Sequence, residues 1–221
     1  RVVAGDLFDI FPIDESRTAF FLGDVSGKGV GAAMLMAACQ SQLRTRLLSG
    51  EGLADAMTLV NADLYQRSEA SKFVTLVAGI VDGDGRFIEL ADAGHGLSVH
   101  VPGAGASARI KTGPGFPLGV VESADYEVHI LRLQPSSSLG LFSDGAVEQT
   151  NPEGDQYSLD RVLACLTELP ANESAVKHLV AGVRDYAVGP LADDLTVAAI
   201  WIELDGDEHV GSVEQEGRTL V

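Results

Sequence analysis

The sequence predicts an α+β fold in which antiparallel sheets carry helices packed outside them. Three observations point there. The chain runs as strands, two helices, many strands, two helices and one strand. That order lacks the steady β-α-β alternation of a parallel sheet, and its helix pairs do not fit an all-β sandwich. Short polar turns, Pro12–Arg17 and Asp82–Gly85, also separate neighbouring apolar runs as hairpin turns do.

In chain order, Val2–Phe11 reads as a strand and Thr18–Val25 as its return. If Ile13 lies opposite Thr18, facing residue numbers sum to about 31, which puts Asp6 within one residue of facing Asp24. From Gly31 to Leu48, Ala32, Leu35, Met36, Cys39, Leu43 and Leu47 recur at helical spacing, and a second helix fits Leu53–Arg67. Lys72–Val81 and Arg86–Ala91 read as strands, and Leu97–Val101 as a continuation of the meander after Gly94-His95-Gly96. Pro102–Val121 reads as a long loop, Tyr126–Leu133 and Ser138–Phe142 as a further pair of strands. Helices fit Ser158–Glu168 and Ala171–Ala187, and Val197–Leu204 is the last strand. The domain is expected to span residues 1–204, with 205–221 a polar linker or the start of another module. An opening at Arg1, straight into strand-like residues, is expected of a segment of a longer chain.

The 221 residues, 46% of them hydrophobic, are enough for a full core. No run approaches the roughly 18 apolar residues of a membrane span. Thirty-two acidic against fifteen basic residues give a formal charge of −17, which disfavours nucleic acid and anionic membrane as partners. Cys39 and Cys165 form no Cys-x-x-Cys pair, and a reducing cytoplasm is the expected location.

The stretch with most chemical promise is Gly23-Asp24-Val25-Ser26-Gly27-Lys28-Gly29. It fails the P-loop and dinucleotide templates by spacing, and the nucleophile elbow because Asp24 rather than Gly lies two before Ser26. Two readings stand: an ordinary strand-to-helix turn, or a carboxylate set between glycines to hold a cation or phosphate. Asp144 and the pair Asp193-Asp194 share this grammar with Asp6 and Asp24: an acidic residue at a strand end beside Gly or a second Asp. Such carboxylates, if gathered, repel unless cations neutralise them. All-oxygen ligation then suits Mg²⁺ or Mn²⁺ rather than zinc.

Ala4-Gly5-Asp6-Leu7-Phe8-Asp9, Gly23–Gly29, Phe73-Val74-Thr75-Leu76, Ala93-Gly94-His95, Phe142-Ser143-Asp144-Gly145 and Asp193-Asp194-Leu195-Thr196 resemble the ordered motifs of the metal-dependent PPM-type serine/threonine phosphatases, in their bacterial SpoIIE-like branch. The resemblance implies a four-layer α-β-β-α sandwich with two divalent cations, Mn²⁺ or Mg²⁺. By the same resemblance Asp24 would bridge the metals beside the backbone carbonyl of Val25, Asp144 and Asp193 would complete one metal site, and Asp6 would hold the other largely through water. Asp194 and Gly145 would stand just behind the ligands. Ala4 departs from the glycine usual in the family, and Gly96 from its usual run after the histidine.

Two cations about 3.5 to 4 Å apart can activate one water for in-line attack on phosphorus without a covalent nucleophile. The spacing of Cys39 from Arg44 and Arg46 is wrong for a cysteine phosphatase. His95 is read either as the general acid for the leaving oxygen or as a turn histidine, and Lys28 either as a contact to substrate phosphate or as solvated. Thr75 reads as structural. The resemblance implies an output domain acting on a phosphorylated anti-anti-sigma (STAS-type) partner, switched by a sensory or receiver module preceding Arg1, with regulatory movement in the helices over Gly31–Arg67 and a possible homodimer. A catalytically silent copy that acts by binding is the alternative, and the retained carboxylates argue against it. A metal nuclease is disfavoured by the charge.

Overall fold

Asp14 closes the first hairpin. Its Oδ1 accepts the Ser16 backbone N–H (2.9 Å) and hydroxyl (3.0 Å), and its Oδ2 accepts Arg17 Nε (2.8 Å). The bond from the Ser16 backbone N–H, followed by that from Arg17, pulls the Asp14 carboxyl down to about 2. In the computed structural model, which describes residues 6–67, 72–83, 86–113, 115–134, 136–168 and 173–201, this turn joins β1 (Asp6–Pro12) to β2 (Thr18–Val25). Pro12, not Ile13, lies opposite Thr18. The Ile13 N–H is spent on the Arg17 carbonyl (2.8 Å), which draws residue 13 into the loop.

The described residues divide into two units, one within Arg1–Gly83, Phe87–Gly96 and Lys111–Arg132, the other within Asp84–Arg86, Leu97–Ile110 and Leu133–Val221. In the first, β3 (Val74–Val81), β4 (Phe87–Ala93) and β7 (His129–Arg132) extend the hairpin into an antiparallel sheet of order β1-β2-β3-β4-β7. Helix α1 (Val30–Leu48) buries Ala32, Leu35, Cys39, Leu43 and Leu47, the expected stripe, and α2 (Leu53–Arg67) buries Leu53, Ala56, Met57, Val60 and Leu64. These side chains pack with Leu7, Phe11, Phe21, Leu76 and Ala78 of the sheet in one cluster, each large one contributing about 1.5–3 kcal/mol of transfer free energy. α1 stops where Ser49 caps it and Gly50 turns to φ 86°, its N–H reaching the Leu47 carbonyl. At the sheet's edge Arg44 pairs with Asp9 (3.0 Å) while its guanidinium lies 4.2 Å from the centre of the Phe11 ring.

The second unit holds a sheet of order β6-β5-β8-β9, from β5 (Ser98–Val101), β6 (Ala108–Arg109), β8 (Ser138–Phe142) and β9 (Val197–Trp201). Its helices are α3 (Gly145–Glu148), α4 (Leu159–Thr167) and α5 (Glu173–Ala187). Val162 and Leu166 of α4 and Val176, Leu179, Val180 and Val183 of α5 pack with Val99, Phe142, Val197 and Trp201.

The α+β class and the two antiparallel sheets with helices are as the sequence predicts. Three expectations are corrected. Leu97–Val101 does not continue the meander: the chain turns at Gly94 (φ 74°) and Gly96 (φ 67°), and β5 opens the second sheet beside β6 and β8. Nor do Tyr126–Leu133 and Ser138–Phe142 pair, because β7 adds to β4 in the first sheet and β8 lies between β5 and β9 in the second. The long loop is not structureless, since it contains β6, and Leu118 exchanges both backbone bonds with Val74. The tetrad after β3 is described only at Asp82 and Gly83, and residues 1–5, 171–172 and the expected linker 205–221 lie outside the described residues. No described helix is long and apolar enough to cross a membrane.

Candidate metal centre

Asp6 and Asp24 are register partners across β1 and β2, so the two carboxylates stand on neighbouring strands as the hairpin geometry requires. On the other side of Asp24 its partner is Thr75 of β3, whose hydroxyl reaches the Asp24 carbonyl at 3.4 Å. Gly23 has a packing reason: a Cβ there would run into the Thr75 carbonyl oxygen and come within 2.8 Å of the Leu76 side chain. Val25 is buried. After it, Ser26 is locked to Phe73 by two bonds, its own N–H to the Phe73 carbonyl (2.9 Å) and the Phe73 N–H to its Oγ (2.8 Å). The chain then crosses Gly27 (φ 88°) and Gly29 (φ 100°), left-handed positions with open space around them, and carries Lys28 exposed between them. Gly29 caps α1 without a side-chain bond.

In the same unit, His95 sits half-buried in a turn built by a carboxylate outside the candidate motifs. Asp92 is 6% exposed and accepts the His95 N–H on Oδ1 (2.7 Å) and the Gly96 N–H on Oδ2 (2.9 Å). Its place within an apolar strand hid this role. The pattern Asp-x-x-His-Gly, with glycines on both sides of the histidine, is the signal that could have shown it.

In the second unit, Asp144 stands at the end of β8 where α3 begins, and the connection carrying Asp193 and Asp194 is held against the same segment. Ser143, fully buried, donates its N–H to the Thr196 carbonyl (2.9 Å), accepts the Thr196 N–H on Oγ (3.0 Å) and places that hydroxyl 3.3 Å from the Asp194 carbonyl. Gly145 lies so close to the Asp194 carbonyl that a Cβ would collide with it. At the far end of α3, Gln149 takes the Ala192 N–H on Oε1 (3.0 Å) and directs Nε2 to the Asp193 carbonyl (3.4 Å). Asp193 is exposed, its Oδ1 accepting the Asp194 N–H (3.0 Å), while Asp194 is half-buried. Gln149 was not foreseen either: a lone Gln among polar residues has no signature.

The structure thus brings Asp6 to Asp24, and Asp193 and Asp194 to the segment of Asp144. Among the described residues no group of three or more His, Cys, Asp or Glu side chains is gathered so as to hold a metal ion. The chemistry of the donors suits Mg²⁺ or Mn²⁺, since both groupings offer carboxylate and carbonyl oxygen. Cys39 is no competitor: burial in the α1 core pushes its thiol up to about 12.

This fold is that of the PP2C-type protein phosphatases. The PP2C phosphatase domain of the cell fate determinant SpoIIE from Bacillus subtilis, with a fragment of its regulatory domain, matches with a TM-score of 0.76 at 21% identity, over 99% of this chain and 60% of that one. RsbX in complex with magnesium matches with a TM-score of 0.66 at 17% identity, over 89% of this chain and 86% of that one. The chain belongs to the Stage II sporulation protein E (SpoIIE) family, whose model matches residues 14–203. It is thereby placed among the SpoIIE-like, PPM-type phosphatases, as the motifs suggest. The phosphoserine phosphatase RsbU of Bacillus subtilis is 26% identical over 159 residues, covering 70% of this chain and 46% of RsbU. The chain spans between about a third and a half of the length of the curated relatives it matches.

Proposed function

We propose that this domain hydrolyses phosphoserine or phosphothreonine on a partner protein, as the output domain of a bacterial signalling protein. The observation that carries the reading is the facing of Asp6 and Asp24 across one hairpin in a chain of the SpoIIE family. Asp6, Asp24 and the Val25 carbonyl, with Asp144 and Asp193, are the residues that would hold divalent cations, two ions of Mn²⁺ or Mg²⁺ by the family resemblance. When bound these ions supply Lewis acidity toward a phosphoryl oxygen and toward the attacking water. Asp24 and Asp144 are the carboxylates on which catalysis most depends.

The chain's own part is positioning. Ser143, Gly145 and Asp194 fix the backbone that carries Asp193. The open Gly27–Gly29 loop presents Lys28 to the substrate phosphate, and the turn held by Asp92 presents His95 as proton donor to the leaving serine or threonine oxygen. The name of RsbU supports a phosphoserine substrate, and we assign as partner a phosphorylated anti-anti-sigma domain of STAS type, in the cytoplasm. We take residues 1–204 as the catalytic domain and 205–221 as a linker or the start of a following module, and the family resemblance supports control by a sensory or receiver module before Arg1.

Hydrolysis of p-nitrophenyl phosphate with Mn²⁺ tests this. The wild-type chain is expected to turn over and Asp24→Ala to fall to background; equal rates would end the enzymatic reading in favour of a silent copy that binds. Loss of the phospho-form of a STAS-type protein on incubation, followed by gel mobility, tests the substrate class.

A further inference from the structure

We infer that Gln149 is a positioning residue for metal binding: its buried side-chain amide sets where Asp193 stands relative to Asp144. The inference rests on the reading of Asp193 as a metal ligand, and it assigns a role to a residue outside every motif of the site.

The connection from α5 to β9 has to carry an exposed carboxylate at a fixed place without secondary structure of its own. Its backbone is therefore held by two side chains from one short segment. Ser143, just before Asp144, secures the downstream end through the Thr196 N–H and the Asp194 carbonyl. Gln149, just after α3, secures the upstream end through the Ala192 N–H and the Asp193 carbonyl. An amide accepts from an N–H on its oxygen and donates to a C=O from its nitrogen, so one Gln side chain spans both the Ala192 N–H and the Asp193 carbonyl. At 2% exposure neither contact is replaced by water when the side chain is changed.

Ser143 alone cannot do this work. Its contacts lie at residues 194 and 196, and the Asp193 Oδ1 bond to the Asp194 N–H turns the carboxylate within its own dipeptide without tying it to the segment of Asp144. From that segment Gln149 reaches the carbonyl of Asp193 itself, so its loss loosens the ligand's backbone while Ser143 keeps its bonds to residues 194 and 196.

The test is manganese binding to the 221-residue chain, by titration calorimetry or by the EPR signal of free Mn²⁺, with thermal melting in EDTA alongside. Gln149→Met keeps length and bulk but loses both contacts. Its Mn²⁺ dissociation constant is expected to rise about 10- to 100-fold, the usual consequence of losing a group that orients a metal ligand, while excess Mn²⁺ restores turnover. Gln149→Asn, one methylene too short to reach, is expected to shift the constant in the same direction, and serves if the Met variant does not fold. A purely structural Gln149 would lower the melting temperature in EDTA and leave the constant within twofold of wild type, which overturns the inference. Asp193→Ala separates the two levels. If the wild type binds no Mn²⁺, or Asp193→Ala binds as well as wild type, the metal reading falls and this inference with it; if Asp193→Ala binds poorly and both Gln149 variants bind normally, the positioning role alone is wrong.

Discussion

Asp6 and Asp24 face each other across the β1–β2 hairpin, with Thr75 next in line on β3. Like charges directly opposite on neighbouring strands destabilise a sheet by up to about 1 kcal/mol. Under the proposed function, a cation bound there would return that cost.

Asp24→Asn is therefore expected to melt above the wild type in EDTA, by about 2–4 °C for a domain of this size. With Mn²⁺ added the order is expected to reverse, since on the proposed reading the variant lacks the ligand through which binding would stabilise. Paired thermal melts check this. A variant that melts lower in EDTA, yet gains as much from Mn²⁺ as the wild type, would show that Asp24 serves the sheet and not a cation.

The Asp6–Asp24 relationship was legible because a tight hairpin leaves little freedom of register: even with Ile13 displaced into the loop, the facing pair moved by only one residue. The helix stripes were legible for a similar reason, since Leu35, Cys39, Leu43 and Leu47 repeat at the helical period. What did not show was non-local. Strands adjacent in sequence usually pair, so nothing local revealed that β7 belongs beside β4 and β8 beside β5 and β9. Asp92 in the first unit and Gln149 in the second have little local signature, because each works through backbone atoms of a segment whose position only the fold defines.

Ser143→Ala removes one hydroxyl that serves two backbone groups, Thr196 N–H and Asp194 C=O, at a fully buried position. Stranding a buried donor costs about 1–3 kcal/mol. Urea unfolding is expected to show a loss in that range with an unchanged m-value. A change under about 0.5 kcal/mol would mean the two strands hold the connection without it.

Gly145→Ala tests close approach. The added Cβ collides with the Asp194 carbonyl oxygen, a backbone atom that cannot swing aside as a side-chain tip can. The expected loss is about 1–3 kcal/mol, typical of overpacking. It is expected to come with weaker Mn²⁺ binding, since relief requires the 193–194 connection to move. Wild-type values for both would show that the glycine is not needed for contact.

Asn61, fully buried in α2, accepts the Gly119 N–H (2.9 Å) and donates to the Val121 carbonyl (3.1 Å), pinning the segment that follows Leu118. Asn61→Leu keeps the bulk and loses both bonds. Proteolysis is expected to begin at residues 119–122 in the variant, at protease levels that leave wild type intact. Cleavage sites identical in the two proteins would refute the pin.

Cys39 supplies a test at alkaline pH. Burial raises its thiol from about 9 to about 12, so the folded protein holds this proton more tightly than the unfolded chain does. The sign follows: the stabilisation is complete below pH 9, declines as pH rises beyond it, and is gone above about 12. Between those limits the wild type is expected to lose stability more steeply than Cys39→Ala, which has no thiol to ionise; below pH 9 the Ala variant is the weaker, through the cavity it leaves in the α1 core. Chemical denaturation at pH 8, 9.5 and 10.5 measures the difference, and parallel slopes above pH 9 would show that the thiol reaches solvent in the native state.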